Sequence, residues 1–221
     1  MKKIIYILIA ACCIVSCGTS NRVLKSERYA GIYEERPLSI MVMPPINHSS
    51  KAEAKELFYS SLMVPLNQKG YYVVPPILTK EILKEENAYN AEMLINNNAK
   101  ELGDLFGVDA VLFTTIHQWA KTTIASQIRV VVEYTLISTK TDQVIFSRTG
   151  DVTYRPDADT GNILRNIVTN ILTTALTREI AVGRRCNIYT LGDIPEGRYS
   201  PLHGTDGKTP AGSKLSQVRI Q

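Results

Sequence analysis

The chain has 221 residues and a formal charge of +4, with 25 basic and 21 acidic side chains interspersed, so no basic block of the kind that binds nucleic acid is present. This length suits one domain of ordinary size with a tail. Three of the four cysteines, Cys12, Cys13 and Cys17, fall within the first seventeen residues, which leaves Cys186 as the lone thiol of the remainder and excludes a disulfide within it.

Residues 1–16 read as an address. Met1-Lys2-Lys3 is a short positive leader, and residues 4–15 form an apolar run too short for the roughly 20 residues that span a bilayer, with no stop-transfer charges after it. Ile14-Val15-Ser16-Cys17 follows and resembles a bacterial lipobox. The small Ser16 lets a peptidase reach the bond before Cys17, whose thiol receives a diacylglycerol. Cleavage between Ser16 and Cys17 leaves 205 residues, and the charge falls from +4 to +2 as Lys2 and Lys3 depart. Each buried methylene of the acyl chains contributes about 0.8 kcal/mol, so a multiply acylated Cys17 is held firmly on a membrane. Gly18, where an aspartate would retain the protein at the inner membrane, and the lack of an acidic cluster in residues 18–28 together place it on the periplasmic face of the outer membrane.

Residues 17–37 read as a lipidated, polar spacer and residues 38–182 as the domain. Leu38 to Met43 is an apolar strand stopped by Pro44-Pro45. Ser50 and Glu53 form a capping-box pattern that opens a helix running to Gly70, bent near Pro65. Tyr71 to Val74 is a second strand, cut off by Pro75-Pro76. Short helices follow over residues 79–86, with Ile82 and Leu83 inward, and 97–107, with Ala99, Leu102, Leu105 and Phe106 on one face. Val108 to Ile116 is a third apolar strand. From Ile124 to Leu136 apolar residues alternate with polar ones, and after a turn at residues 139–142 a return strand runs to Tyr154. A five-turn helix is predicted from an N-cap at Thr160 to Ile180, ended by Gly183. Residues 183–221, with six glycines and three prolines, read as an extended tail without a core. The order β-α-β-α-α-β-β-β-α predicts an α/β fold with a single mixed sheet.

Chemical motifs are sparse. His48, His117 and His203 have no His or Cys partner at ligand spacing, so no metal site is read, and no nucleotide or nucleophile-elbow motif points to a cofactor or an enzyme. Asp157 and Asp159 could hold calcium or share a proton, but they fit better as negative charge before the helix at Thr160. The single tryptophan, Trp119, reads either as an exposed partner anchor or as a cap on the sheet edge. Cys186 reads as a spectator thiol or as the donor of a mixed disulfide to a partner.

The lipobox at Cys17, Ile40-Met41-Val42-Met43-Pro44-Pro45, Pro65-Leu66 with Gly70-Tyr71-Tyr72-Val73-Val74-Pro75, and Leu102-Gly103 with Phe106-Gly107-Val108-Asp109 together resemble a bacterial lipoprotein family known as domain of unknown function 799. Thr141-Asp142 also resembles the turn of CsgG-type domains, with Asp142 in place of a glycine. The resemblance implies a fold similar to the N-terminal domain of TolB and to CsgG, over residues 17–182. It implies a non-enzymatic accessory or scaffold subunit of a secretion or transport assembly in the cell envelope, with envelope proteins or further copies of itself as partners. The alternative implied is a lipoprotein regulator of a peptidoglycan-synthesising enzyme. A membrane-spanning hairpin is disfavoured by Arg129, Glu133, Arg148 and Asp151 in the 124–154 segment.

Overall fold

A long strand, β4 (Ala110–Thr122), lies between parallel neighbours on one side and an antiparallel neighbour on the other in the computed structural model, which describes residues 22–85, 99–122, 127–155 and 175–220. On the parallel side β1 (Ser39–Val42) aligns Ile40 with Ala110, and β3 (Tyr72–Val73) lies outside β1. Ile40 to Met43 are fully buried, two side chains to each face, as expected of a strand covered on both sides. Pro44-Pro45 interrupts the ladder without ending it. The chain resumes as β2 (Ile46–Asn47), still paired with β4, at Thr115 and Ile116. On the other side β5 (Gln127–Ser138) and β6 (Val144–Tyr154) complete an antiparallel meander, giving the order β3-β1-β4-β5-β6-β7, with β7 (Leu215–Ile220) parallel to β6. This is the single mixed sheet that the sequence predicts.

Two apolar layers sandwich the sheet. The larger lies on the face of Ile40, Leu112, Val130, Val132 and Phe146, under α3 (Glu53–Tyr59), α4 (Met63–Gln68) and α7 (Ala175–Leu191). The smaller joins Met41, Met43, Val111 and Phe113 to Leu83 of α5 (Pro76–Glu85) and Leu102 of α6 (Ala99–Phe106). Leu105 and Ile82, predicted inward, are instead exposed. The turn between β5 and β6 holds Asp142 at φ 54°, in the left-handed region that glycine occupies most easily. The Asp142 carboxylate offsets this strain by accepting from the Lys100 amide in the first turn of α6 at 3.0 Å.

Four expectations need correction. The predicted helix from Ser50 to Gly70 is two helices, because Pro65 has no amide to give Ser61 and its ring crowds that carbonyl, so the chain breaks at residues 60–62 and restarts at Met63. Its N-cap is Ala52, not Ser50. The local hydrogen bonds go instead to a turn in which Asn47 accepts from the Ser49 amide and donates to the Lys51 carbonyl. Gly70 does finish α4 in the left-handed region, at φ 80°.

The spacer is shorter than predicted, and this is the third correction. α1 (Lys25–Arg28) and α2 (Ala30–Glu35) already belong to the domain, since Tyr29 and Ile32 are buried and the Tyr29 hydroxyl donates to Asp193 at 2.5 Å. Arg36, at φ 50°, ends α2.

Fourth, residues 183–221 are not an extended tail. α7 runs through Gly183 to Leu191, burying Val182, Cys186, Asn187, Thr190 and Leu191 along one stripe. Arg148 explains where it stops. Its guanidinium is buried and donates to the carbonyls of Tyr189 and Thr190 at 3.1 and 2.9 Å, capping the negative end of the helix. Ile194 is then buried, and residues 215–220 join the sheet through backbone bonds that need no large side chains. The N-cap at Thr160 and the apolar positions before Ala175 lie outside the described residues.

Gly183 persists inside a helix because the Trp119 ring lies on it, and a Cβ there would stand 2.4 Å from the indole Cη2. Gly183→Ala, which would gain up to about 1 kcal/mol in an ordinary helix, is expected instead to lower stability by about 1–3 kcal/mol through overpacking. A fall in the urea midpoint at unchanged slope checks it.

Candidate interaction surface

Strict alternation along β5 buries Ile128, Val130, Val132, Tyr134 and Leu136 under the helices and turns Gln127, Arg129 and Glu133 to the opposite face. Register continues that face across the neighbours: Val131 lies opposite Asp151, which lies opposite Gln217, while Arg129 lies opposite Thr153 and then Arg219. Arg129 and Gln217 are exposed, as is Arg219. The Arg129 guanidinium grips Asp151 through Nε and Nη2 at 2.8 and 2.7 Å, a bidentate fork. The bond holds the Asp151 carboxyl below the usual carboxylate range, against the opposing effect of burial. A shallow cavity of about 260 Å³ opens between Arg129, Asp151, Arg155, Gln217 and Arg219.

At the β4 edge of this face the pairing of β4 with β5 slips at His117, between Ile116 opposite Val132 and Gln118 opposite Val131. The unpaired residue projects His117 Nε2 to 3.0 Å from the Glu133 carboxylate. β2 leads His48 to the same place, its amide donating to the Ile116 carbonyl and its ring centroid 6.2 Å from that of His117. Topology thus unites two histidines 69 positions apart, which spacing in the sequence does not reveal. His203 stays elsewhere, its Nδ1 2.8 Å from the Glu196 carbonyl oxygen. Among the described residues no group of three His, Cys, Asp or Glu side chains is arranged to hold a metal ion.

Neither residue read from the sequence as a partner contact reaches the surface. Trp119 is 2% exposed: its ring meets Phe58 edge-on and its indole N–H donates to the Glu179 carboxylate at 3.2 Å. Lys51 Nζ neutralises Glu179 at 3.1 Å. The indole therefore serves the core, and its partner is a buried side chain instead of backbone. Cys186 is fully buried beneath β5, where burial pushes its thiol up to about 11, so it presents no sulfur to a mixed disulfide. Beside it the Tyr134 hydroxyl donates to Asn187 Oδ1 at 2.6 Å, and Asn187 donates to Ser61 at 2.9 Å, a buried chain that pins α7 to the sheet and to the loop after α3. Ser16, Cys17, Asp157 and Asp159 lie outside the described residues.

The fold is a domain of mixed α/β type, one sheet whose first face is covered by helices and whose second is helix-covered near Ala110 and polar toward Arg129. The chain belongs to the GNA1162-like lipoprotein family, whose model matches residues 27–190, in agreement with the lipoprotein resemblance read from the sequence. The crystal structure of lipoprotein GNA1162 from Neisseria meningitidis is similar at 25% identity and a TM-score of 0.51, covering 66% of this chain and 99% of that one. The lipoprotein NMB1124/NMB1162 of Neisseria meningitidis serogroup B is 30% identical over 119 residues, 54% of each chain, so the match spans about half the length of that curated relative. PelC from Paraburkholderia phytofirmans, solved as a dodecamer, is 15% identical with a TM-score of 0.42, covering 69% of this chain and 85% of that one, and is too remote to bear on function.

Two outcomes follow from this geometry. Cys186 should resist thiol reagents at pH 8 in the native protein and react fully in urea, read by absorbance of the released thiolate. Asp151→Asn should cost about 1 kcal/mol at neutral pH, the usual order for a partly exposed pair. Because the folded carboxyl titrates below its ordinary 3.8, that contribution is complete above about pH 4 and disappears as pH falls through the folded value. Denaturation midpoints of the two proteins should converge there.

Proposed function

We propose that the protein is a non-enzymatic scaffold subunit of a secretion or transport assembly in the cell envelope, held by acylated Cys17 on the periplasmic face of the outer membrane. The observation that carries this reading is the polar side of the sheet, where His117, Glu133, Arg129, Asp151, Gln217 and Arg219 stand in fixed register on rigid strands. Charged groups held in place on a flat, wet surface suit recognition of a protein partner by complementary charge.

Tether length weighs against the regulator of a peptidoglycan synthase. Leu24 bridges Pro210, so the leash from Cys17 to the first tied residue is seven residues, at most about 24 Å when fully stretched. Such a leash keeps the domain at the membrane.

Photo-crosslinkers placed at Glu133 and Gln217 in intact cells should capture the same envelope protein, and Arg129→Glu should abolish the capture while the chain stays folded. Recovery of uncrosslinked monomer alone, from either position, would contradict the scaffold reading.

A further inference from the structure

Beside the tether the protein offers a second, unassigned surface. The strand-like contact of Leu24 with Pro210 continues as Lys25 N–H to the Thr209 carbonyl at 3.0 Å and Ala211 N–H to the Val23 carbonyl at 2.9 Å. The leash therefore reaches the domain against the segment 198–211.

That segment is rigid and turned outward. Gly197 donates to the Lys69 carbonyl at 2.7 Å and Tyr199 to that of Gly70 at 3.0 Å, while Ser200 donates to the Glu196 carboxylate and Thr205 to the Leu202 carbonyl, both at 2.8 Å. So anchored, it leaves Tyr199 67% and Leu202 57% exposed, with Pro201 exposed between them.

The charge around these side chains is selectively positive. The loop's acid, Asp206, is paired with Lys25 at 3.4 Å, and Glu196 just before the loop is paired with Lys69 at 2.8 Å, while Glu27 accepts from the Leu24 amide. Arg22, Arg198 and Lys208 remain exposed. Arg28 keeps a buried Nε without a partner among the described residues. An exposed tyrosine and leucine, with Arg198 beside the tyrosine and Arg22 and Lys208 next to the paired segments 23–25 and 209–211, match the interface of an anionic bilayer, where aromatic rings settle at the headgroup level and each nearby cation is attracted to the surface.

We propose that the loop 198–208 docks on an anionic phospholipid surface, inserting Tyr199 and Leu202 while Arg198, Lys208 and Arg22 meet phosphate headgroups. This rests on the reading of Cys17 as the acylated residue: a leash of at most about 24 Å brings the loop within reach of the same leaflet. With the loop seated, the end of the sheet at Ala110 faces the membrane, because Tyr199 bonds Gly70 and the following β3 pairs with β1 opposite Ala110. Lys121, eleven residues further along β4, then stands about 36 Å away.

The test uses the full mature lipoprotein reconstituted in phosphatidylethanolamine–phosphatidylglycerol vesicles that carry quencher on the acyl chains. A fluorophore on Leu202→Cys should be quenched at least threefold more than one on Lys121→Cys, and Arg198→Glu with Lys208→Glu should erase the difference. Protein that floats with the vesicles but shows equal quenching at both sites overturns the docking and leaves the anchor intact. The chain with Cys17→Ser measures the loop alone. It should float weakly with anionic vesicles and not with phosphatidylcholine, and lose this on Tyr199→Ser with Leu202→Ser. If wild type fails to float the anchor reading is lost, and absence of anionic binding by the Cys17→Ser chain then rejects the loop as well.

Discussion

The pairing of β4 on both edges is the constraint on which the structure depends. Its parallel contacts with β1 and β2 place two apolar faces under helices, and its antiparallel ladder with β5 extends the sheet beyond those helices on one side. A shift of β4 by one residue would send Leu112 and Ile116 to the wrong face and turn the polar side inward. The slip of β4 against β5 at His117 carries Trp119 onto the core face, where its indole meets α7.

From that frame the two surfaces acquire complementary places. The end of the sheet near Ala110 carries the leash and the loop with Tyr199 and Leu202, while Arg129, Arg155 and Gln127 occupy the opposite end of the polar face. On the proposed anchoring and loop docking, a domain held at one end and charged at the other would present the polar face away from the bilayer, toward other envelope proteins. The buried Tyr134–Asn187–Ser61 chain and the Arg148 cap on α7 keep that surface rigid from beneath.

Local patterns were legible in the sequence wherever neighbours along the chain decide the outcome. The continuous apolar run of β1, the alternation of β5, the left-handed Gly70 and the turn at Asp142 all follow from residues within a few positions of one another. Failures came where distant residues decide. Gly183 looks like a helix stop until Trp119 is laid on it, and α7 ends where Arg148 reaches its carbonyls. The segment 192–220 looks coreless because its sheet bonds are made by backbone. His48 and His117 look isolated because only the register of β2 on β4 unites them. Trp119, left open between surface and edge, belongs to the core.

The most direct measurement is incorporation of radiolabelled palmitate into the protein in growing cells, wild type beside Cys17→Ser. Label on the wild-type chain, none on the variant, and release of the variant from the membrane fraction are the predicted results. An unlabelled wild-type chain, or a serine variant that keeps its processing and its place in the membrane, would contradict the tether on which the proposed role is built.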